Sequence, residues 1–157
     1  YAKNNFIRVV KVMKAFVLND SVKSFLCLNN KLPQENKGLF DIKLLEEFAD
    51  AIIKLYGIKG LKGKDLLYSI NSEDYDAKRA EFIQRLSKGE KLFVISSYNT
   101  VGAGQNLQYK APGNATIVAV NDYDRGDMEK DFDCIYLEKP TNLLVNVDSK
   151  KGIEAEF

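Results

Sequence analysis

Two serines, a threonine and two glycines follow one short apolar run in this chain, Leu92-Phe-Val-Ile-Ser-Ser97-Tyr-Asn-Thr100-Val-Gly102-Ala-Gly104-Gln105-Asn106. Apolar runs of this length, rich in β-branched residues, are how the buried strands of parallel sheets read. In open α/β sheets, ligands bind just beyond the carboxyl ends of such strands. Hydroxyls there can meet an anionic oxygen, and glycines let backbone N–H groups approach a phosphate closely. The segment is therefore a candidate phosphate-binding loop. The alternative is an ordinary glycine-rich connection from a strand to a helix.

Other chemistries are harder to place. Gly57-Ile-Lys-Gly-Leu-Lys-Gly-Lys-Asp65 approaches a Walker A loop, but its spacing is wrong and Lys64 is not followed by Ser or Thr. It also precedes a strand, whereas a P-loop follows one and opens a helix; its lysines read as a solvated loop. No strand ends in a pair of carboxylates that would hold Mg²⁺. Gly102 and Gly104 give G-x-G, but Leu107 stands where a dinucleotide fingerprint needs its third glycine. Histidine is absent, which removes Ser-His-Asp triads, imidazole ligands and His general bases. Cys27 and Cys134 lie inside apolar runs and are expected to be buried, reduced thiols. No metal site is expected. The pairs Glu46-Glu47 and Glu73-Asp74 fall on a helix's polar face or at a helix start, where solvation and the helix dipole account for them. Tyr98 and Tyr109 could stack a base, with packing in the core or at its rim as the plainer role.

The elements that must position the loop follow from periodicity. Phe6, Val9, Val10, Met13, Phe16 and Val17 fall at helical spacing, with lysines away from that stripe. Val22–Leu28 reads as a strand, followed by an irregular polar loop from Asn29 to Gly38. Asp41 is placed to cap a second helix with Leu45, Phe48, Ala49, Ile52 and Tyr56 on its apolar face and Gly57 as its stop. A loop over 58–64 leads to a strand at Leu66–Ile70. A third helix, capped by Ser72 or Asp74, runs to Gly89. The strand at 91–97 follows, and 115–120 and 134–137 read as further strands. Helices alternating with strands predict an α/β fold with an open, mainly parallel sheet and helices on both faces.

Length and composition suit one globular domain: 157 residues, 45% hydrophobic and 29% charged. With 23 Lys and Arg against 22 Asp and Glu, no overall field favours a polyanion, so any such binding must come from a local patch. No apolar run reaches the about 18 residues of a membrane span, and no signal peptide is visible. A cytoplasmic location and no membrane partner are expected. The chain begins on Tyr1 and closes on a charged tail, which suggests a piece of a longer protein. Asn114-Ala-Thr116 and Arg125-Gly-Asp127 match a sequon and an adhesion tripeptide, both short enough to arise by chance.

Ser97-Tyr-Asn-Thr-Val-Gly-Ala-Gly-Gln-Asn-Leu107 resembles motif V of superfamily 2 helicases and translocases, closest to the chromatin-remodeller-like form. Tyr75 to Gly89 looks like that family's helix before the motif V strand. Val22-Lys-Ser-Phe-Leu-Cys-Leu-Asn-Asn30 and the helix after it resemble motif IV, and Phe132-Asp-Cys-Ile-Tyr-Leu-Glu-Lys-Pro-Thr141 resembles the strand preceding motif VI. The resemblance runs from Val22 to about Asn142, and its motif V part is the specific one.

What the resemblance implies is the second, C-terminal RecA-like lobe of a two-lobed ATP-driven motor. Residues 1–20 would be a linker or packing helix, 21–148 the lobe and 149–157 a tail. By similarity, Ser97 and Thr100 would contact nucleic-acid phosphates, and Asn29 and Asn30 would touch the same backbone from the motif IV strand. Gly102 and Gly104 would make the sharp turn, with Gln105 and Asn106 facing the nucleotide or coupling the lobes. The implied partners are DNA or RNA and the N-terminal RecA-like lobe. ATP and Mg²⁺ would be bound together with that first lobe, and this domain alone would not hydrolyse ATP. The Gln-x-x-Gly-Arg helix of motif VI has no match between Pro140 and Phe157 and is expected further on. The stretch from Lys110 to Lys130 has no counterpart in the family and reads as a surface loop. Two other classes fit the same loop: a stand-alone α/β nucleotide- or phosphate-binding module, and a Rossmann-like methyltransferase piece. The methyltransferase reading lacks the acidic residue expected at the end of a second strand.

Overall fold

A computed structural model describes residues 2–35, 37–101, 107–113 and 129–139. The first helix, α1 (Ala2–Leu18), buries Val9, Met13, Phe16 and Val17, the stripe expected from its spacing. Strand β1 (Ser24–Asn29) is buried at every position, as a central strand covered on both faces must be. Helix α2 (Ile42–Leu55) starts at Asp41, whose carboxylate accepts from the N–H groups of Lys43 and Leu44 at 2.8 and 3.4 Å. It ends at Gly57, with φ of 64°. There the N–H of Gly57 donates to Lys54 O and that of Ile58 to Ile53 O, a paired closure that needs a left-handed residue between them.

The loop expected over 58–64 contains a helical turn, α3 (Gly63–Leu66), which runs directly into β2 (Leu67–Ser69). Helix α4 (Tyr75–Ser87) ends at Gly89 with the same closure as α2. Its start differs from expectation. Asp74 occupies the cap position without bonding the helix from its side chain; it pairs instead with Lys78 at 2.7 Å. Just ahead of the helix, Asn71 Oδ1 takes the N–H groups of Glu73 and Asp74 at 2.8 and 3.0 Å.

Strand β3 (Leu92–Ser97) is also buried throughout. Two short strands, β4 (Tyr109–Lys110) and β5 (Glu129–Lys130), pair antiparallel, so the stretch read as a surface loop leaves and returns at one ladder. Strand β6 (Cys134–Leu137) completes a four-stranded sheet in the order β2-β3-β1-β6, with every pairing parallel. The fold is α/β, with helices packed against this sheet. The expected strand at 115–120 and the segment from Pro140 onward lie outside the described residues.

Alternation sorts the strand residues between two cores. Phe25 and Cys27 of β1 and Phe93 and Ile95 of β3 face α1 and α2. Phe25 and Phe93 stack at 4.9 Å, and Phe16 of α1 packs against both at 5.6 Å. Leu26, Leu28, Leu92 and Val94 face α4, with Tyr75, Phe82 and Leu86 above them. The chain moves one way along the sheet from β1 to β2 and back again from β2 to β3. Crossovers of a single hand then require α2 and α4 on opposite faces, where they are. Among the described residues no helix is long and apolar enough to cross a membrane.

Candidate phosphate-binding cleft

Because β1, β2 and β3 run parallel, their carboxyl ends meet at one edge of the sheet, and the turns leaving them surround a cleft of about 730 Å³. Ser97 and Thr100 line it from the end of β3, Asn30 and Lys31 from the end of β1, and Asn71 and Ser72 from the end of β2. Lys37 and Gly38 form part of the wall from the loop before α2, and Ala2 from the start of α1.

Ser97 and Thr100 form a tight turn. Their hydroxyls are 3.0 Å apart, and the N–H of Thr100 donates to Ser97 O at 3.0 Å and lies 3.3 Å from Ser97 Oγ. Two hydroxyls thus converge where the strand stops, donors able to meet a phosphate oxygen.

The neighbouring strand ends are laced together behind this turn. Asn30 donates its N–H to Glu138 Oε2 at 2.7 Å and its side-chain amide to Lys139 O at 2.9 Å. The Tyr98 hydroxyl donates to Glu138 O at 2.5 Å, and Tyr98 N to Asn29 O at 3.3 Å. Burial, then the charge of Glu138, pushes the Tyr98 phenol above its ordinary range, so it stays a donor. Ser96 Oγ reaches across to Ile70 O at 3.2 Å. Tyr98 is thus a structural tie. Tyr109 has a similar role at the other end of the sheet, where it is 2% exposed and bonds Ser24 Oγ at 2.8 Å.

The structure therefore brings Ser97, Thr100 and Asn30 onto one wall. Asn29, expected beside them, is 1% exposed and is not part of the lining; its amide lies 3.5 Å from Cys27 Sγ. The register partner of Asn29 in β3 is Ser97, which does line the cleft. Burial, partly offset by the Asn29 hydrogen bond, pushes the Cys27 thiol up to about 12, which leaves it inert as a nucleophile. Gly102, Gly104, Gln105 and Asn106 lie outside the described residues.

Lys31, Lys37, Asn71 and Ser72 were not anticipated. Their signal was positional: in a parallel sheet, polar residues just past any strand can share the site with those past another. The composition of the wall is one-sided. Among the described residues its polar side chains are two lysines, four amides and three hydroxyls, with no carboxylate. Comparison of the chain with protein-family models and with curated proteins finds no match.

Proposed function

We propose that this chain is the second RecA-like lobe of a superfamily 2 helicase or translocase, and that its cleft holds phosphates of a DNA or RNA strand. The observation that carries the reading is the wall itself, in which hydroxyls, amides and lysines converge at the carboxyl end of a parallel sheet, with no carboxylate among the described residues. Such a wall suits phosphate oxygens and repels none of them. Motif V-like and motif IV-like segments supply it from adjacent strands, β3 and β1, which supports the resemblance read from the sequence.

In this reading the Ser97–Thr100 turn and Asn30 grip the strand's backbone without reading its bases. Lys31 and Lys37 supply charge. A first lobe would bring ATP and Mg²⁺. Magnesium takes carboxylate or phosphate oxygens, and the polar side chains that the described residues give the wall are lysines, amides and hydroxyls, which suit phosphates. ATP closing and reopening the lobes would move the grip along the strand, in a cytoplasmic setting.

The test is fluorescence anisotropy of a labelled single-stranded oligonucleotide across a salt series. The expected result is binding that weakens steeply with salt. Replacing Ser97 and Thr100 with alanine removes two hydrogen bonds to charged oxygens and should weaken binding by about tenfold or more. Affinity that is insensitive to both salt and the double substitution would refute the reading. The cleft volume favours a second reading, a stand-alone module for a nucleotide or other small phosphate, since such sites span about 300–1,000 Å³. That module would bind ATP or pyrophosphate by itself in calorimetry and ignore the oligonucleotide.

A further inference from the structure

We propose that the outward face of α1 is a second phosphate-binding surface, which extends the path of a single nucleic-acid strand beyond the cleft. The inference rests on the nucleic-acid reading of that cleft. All the charged side chains of α1 are cations, Lys3, Arg8, Lys11 and Lys14, and all four are exposed. None forms an ion pair among the described residues. At 3.6 residues per turn they occupy an arc of roughly 140° centred opposite the buried stripe of Val9, Met13 and Phe16.

A helix face that is merely solvated usually mixes signs. Helices α2 and α4 do so: Lys43 and Lys54 accompany Glu46, Glu47 and Asp50, and Lys78, Arg79 and Arg85 accompany Asp76 and Glu81. Helix α1 carries four positive charges in a chain whose net charge is +1, so everything outside it is net acidic. Charge is concentrated on this one face.

The face is also continuous with the cleft. Ala2 lines the cleft, and Lys3 follows it, so the basic arc begins at the cleft rim. From Lys3 to Lys14 it runs about 16 Å along the helix. Exposed aromatic rings of α2 and of the residue that closes it flank the face. Phe48 is 42% exposed and packs edge-on against Phe6 of α1; Tyr56 is 47% exposed, with Lys14 Nζ 5.2 Å from its ring centre. Cations that track a backbone and aromatic rings that accept bases are the combination by which proteins hold single strands. An anionic membrane is a poorer fit, because a helix lying in a lipid surface needs its apolar face free, and that of α1 is buried in the core.

The experiment uses the 157-residue chain and labelled oligothymidylates of about 6 and about 20 nucleotides, spanning the range of single-strand site sizes. Two variants are compared: Arg8→Gln/Lys11→Gln/Lys14→Gln, at exposed positions where glutamine keeps helix propensity, and Ser97→Ala/Thr100→Ala. The α1 variant should bind the long oligomer about tenfold more weakly at low salt, with its salt slope smaller by about 2, while binding of the short one changes less than about twofold. The cleft variant should lose affinity for both. If the α1 variant keeps the affinity and slope of the unaltered chain while the cleft variant loses binding, this inference fails and the reading of the cleft stands. If the unaltered chain binds neither oligomer, both fail. Binding to phosphatidylserine vesicles that is lost in the α1 variant, with oligonucleotide binding intact, would make the face a lipid surface and overturn the proposal.

Discussion

Substituting Gly63 with alanine tests whether close approach of backbones, and not loop flexibility, explains the third glycine of Gly57-x-x-Gly60-x-x-Gly63. A methyl carbon at Gly63 would lie 2.2 Å from the backbone oxygen of Glu46 and 2.9 Å from its carbonyl carbon. Carbon–oxygen contacts settle at about 3.3–3.6 Å, so α3 must move about 1 Å away from α2. The obstacle is main chain in the middle of a helix and cannot swing aside. The same movement stretches the 2.7 Å hydrogen bond from the Gly63 N–H to Asp50 Oδ1.

Overpacking of this kind costs about 1–3 kcal/mol, and weakening a hydrogen bond to a charged acceptor adds up to about 1.5 kcal/mol. Loss of glycine's freedom in the unfolded chain offsets about 0.4–1 kcal/mol. The net expectation is a destabilisation of about 2–3 kcal/mol. In urea unfolding followed by far-ultraviolet circular dichroism, that shifts the midpoint down by about 1–2 M, with an unchanged slope. Gly113→Ala is the control, since nothing lies within 4 Å of the added methyl group there, and it should be neutral within about 0.5 kcal/mol. A Gly63→Ala midpoint equal to that of the control would refute the argument from close approach.

Three further substitutions probe other parts of the frame. Asp41→Ala removes the acceptor for two N–H groups at the start of α2 and should cost about 1 kcal/mol in thermal unfolding; no loss would mean water replaces the cap without penalty. Burial pushes the Asp133 carboxyl up, but the hydrogen bonds from Lys130 and from the N–H groups of Lys23 and Ser24 outweigh it and hold the group below the ordinary carboxylate range. Its contribution is therefore complete above about pH 4 and lost as pH falls through the folded value. Asp133→Ala should cost about 1–3 kcal/mol at neutral pH, the gap narrowing on acidification; a gap independent of pH would sink this account. Burial, aided by the nearby charge of Lys23, pushes Lys91 down to about 8. Between about pH 8 and 10.4 the unfolded chain then holds more protons than the folded one, so stability rises with pH across that window. Lys91→Met should abolish that rise relative to the unaltered chain, and parallel pH profiles of the two would contradict it.

The sequence made the frame legible wherever a period or a cap is local. The stripe of α1, the buried runs of β1 and β3, the Asp41 cap and the stops at Gly57 and Gly89 all depend on residues a few positions apart. What stayed hidden depends on partners far along the chain. Asp133 serves Lys23 and Ser24 across more than a hundred residues, and Gly63 is constrained by a helix that no short-range pattern couples to it. The turn Asn71 makes ahead of α4 stayed hidden because Asn71, Ser72 and Asp74 are all good turn and cap types side by side. At the cleft, residue type pointed to Ser97 and Thr100, and resemblance to Asn30. The same resemblance also pointed to Asn29, which is buried and off the wall. Lys31, Lys37, Asn71 and Ser72 became part of the site only once strand order placed three strand ends together.

That order also explains why the two edges of the sheet differ in what they can do. At the amino ends, polar groups are paired with one another. Lys91 donates to Asn19 O and Val22 O, and Asp133 accepts from Lys23 and Ser24; Ser24 Oγ is shared with Tyr109 and with the Asp133 N–H. Binding there would have to break bonds already made, so this edge serves to hold α1 and the β4–β5 ladder in position. At the carboxyl ends, the bonds of Glu138, Tyr98 and Asn30 tie the strand ends together, and the Ser97–Thr100 hydroxyl pair lines the cleft. In the proposed reading, a phosphate there would exchange one hydroxyl–hydroxyl contact for charge-assisted ones. Tying the strand ends together lets the front of the cleft keep its geometry while its donors change partners, which is what the proposed grip, closing and releasing along a strand, would require.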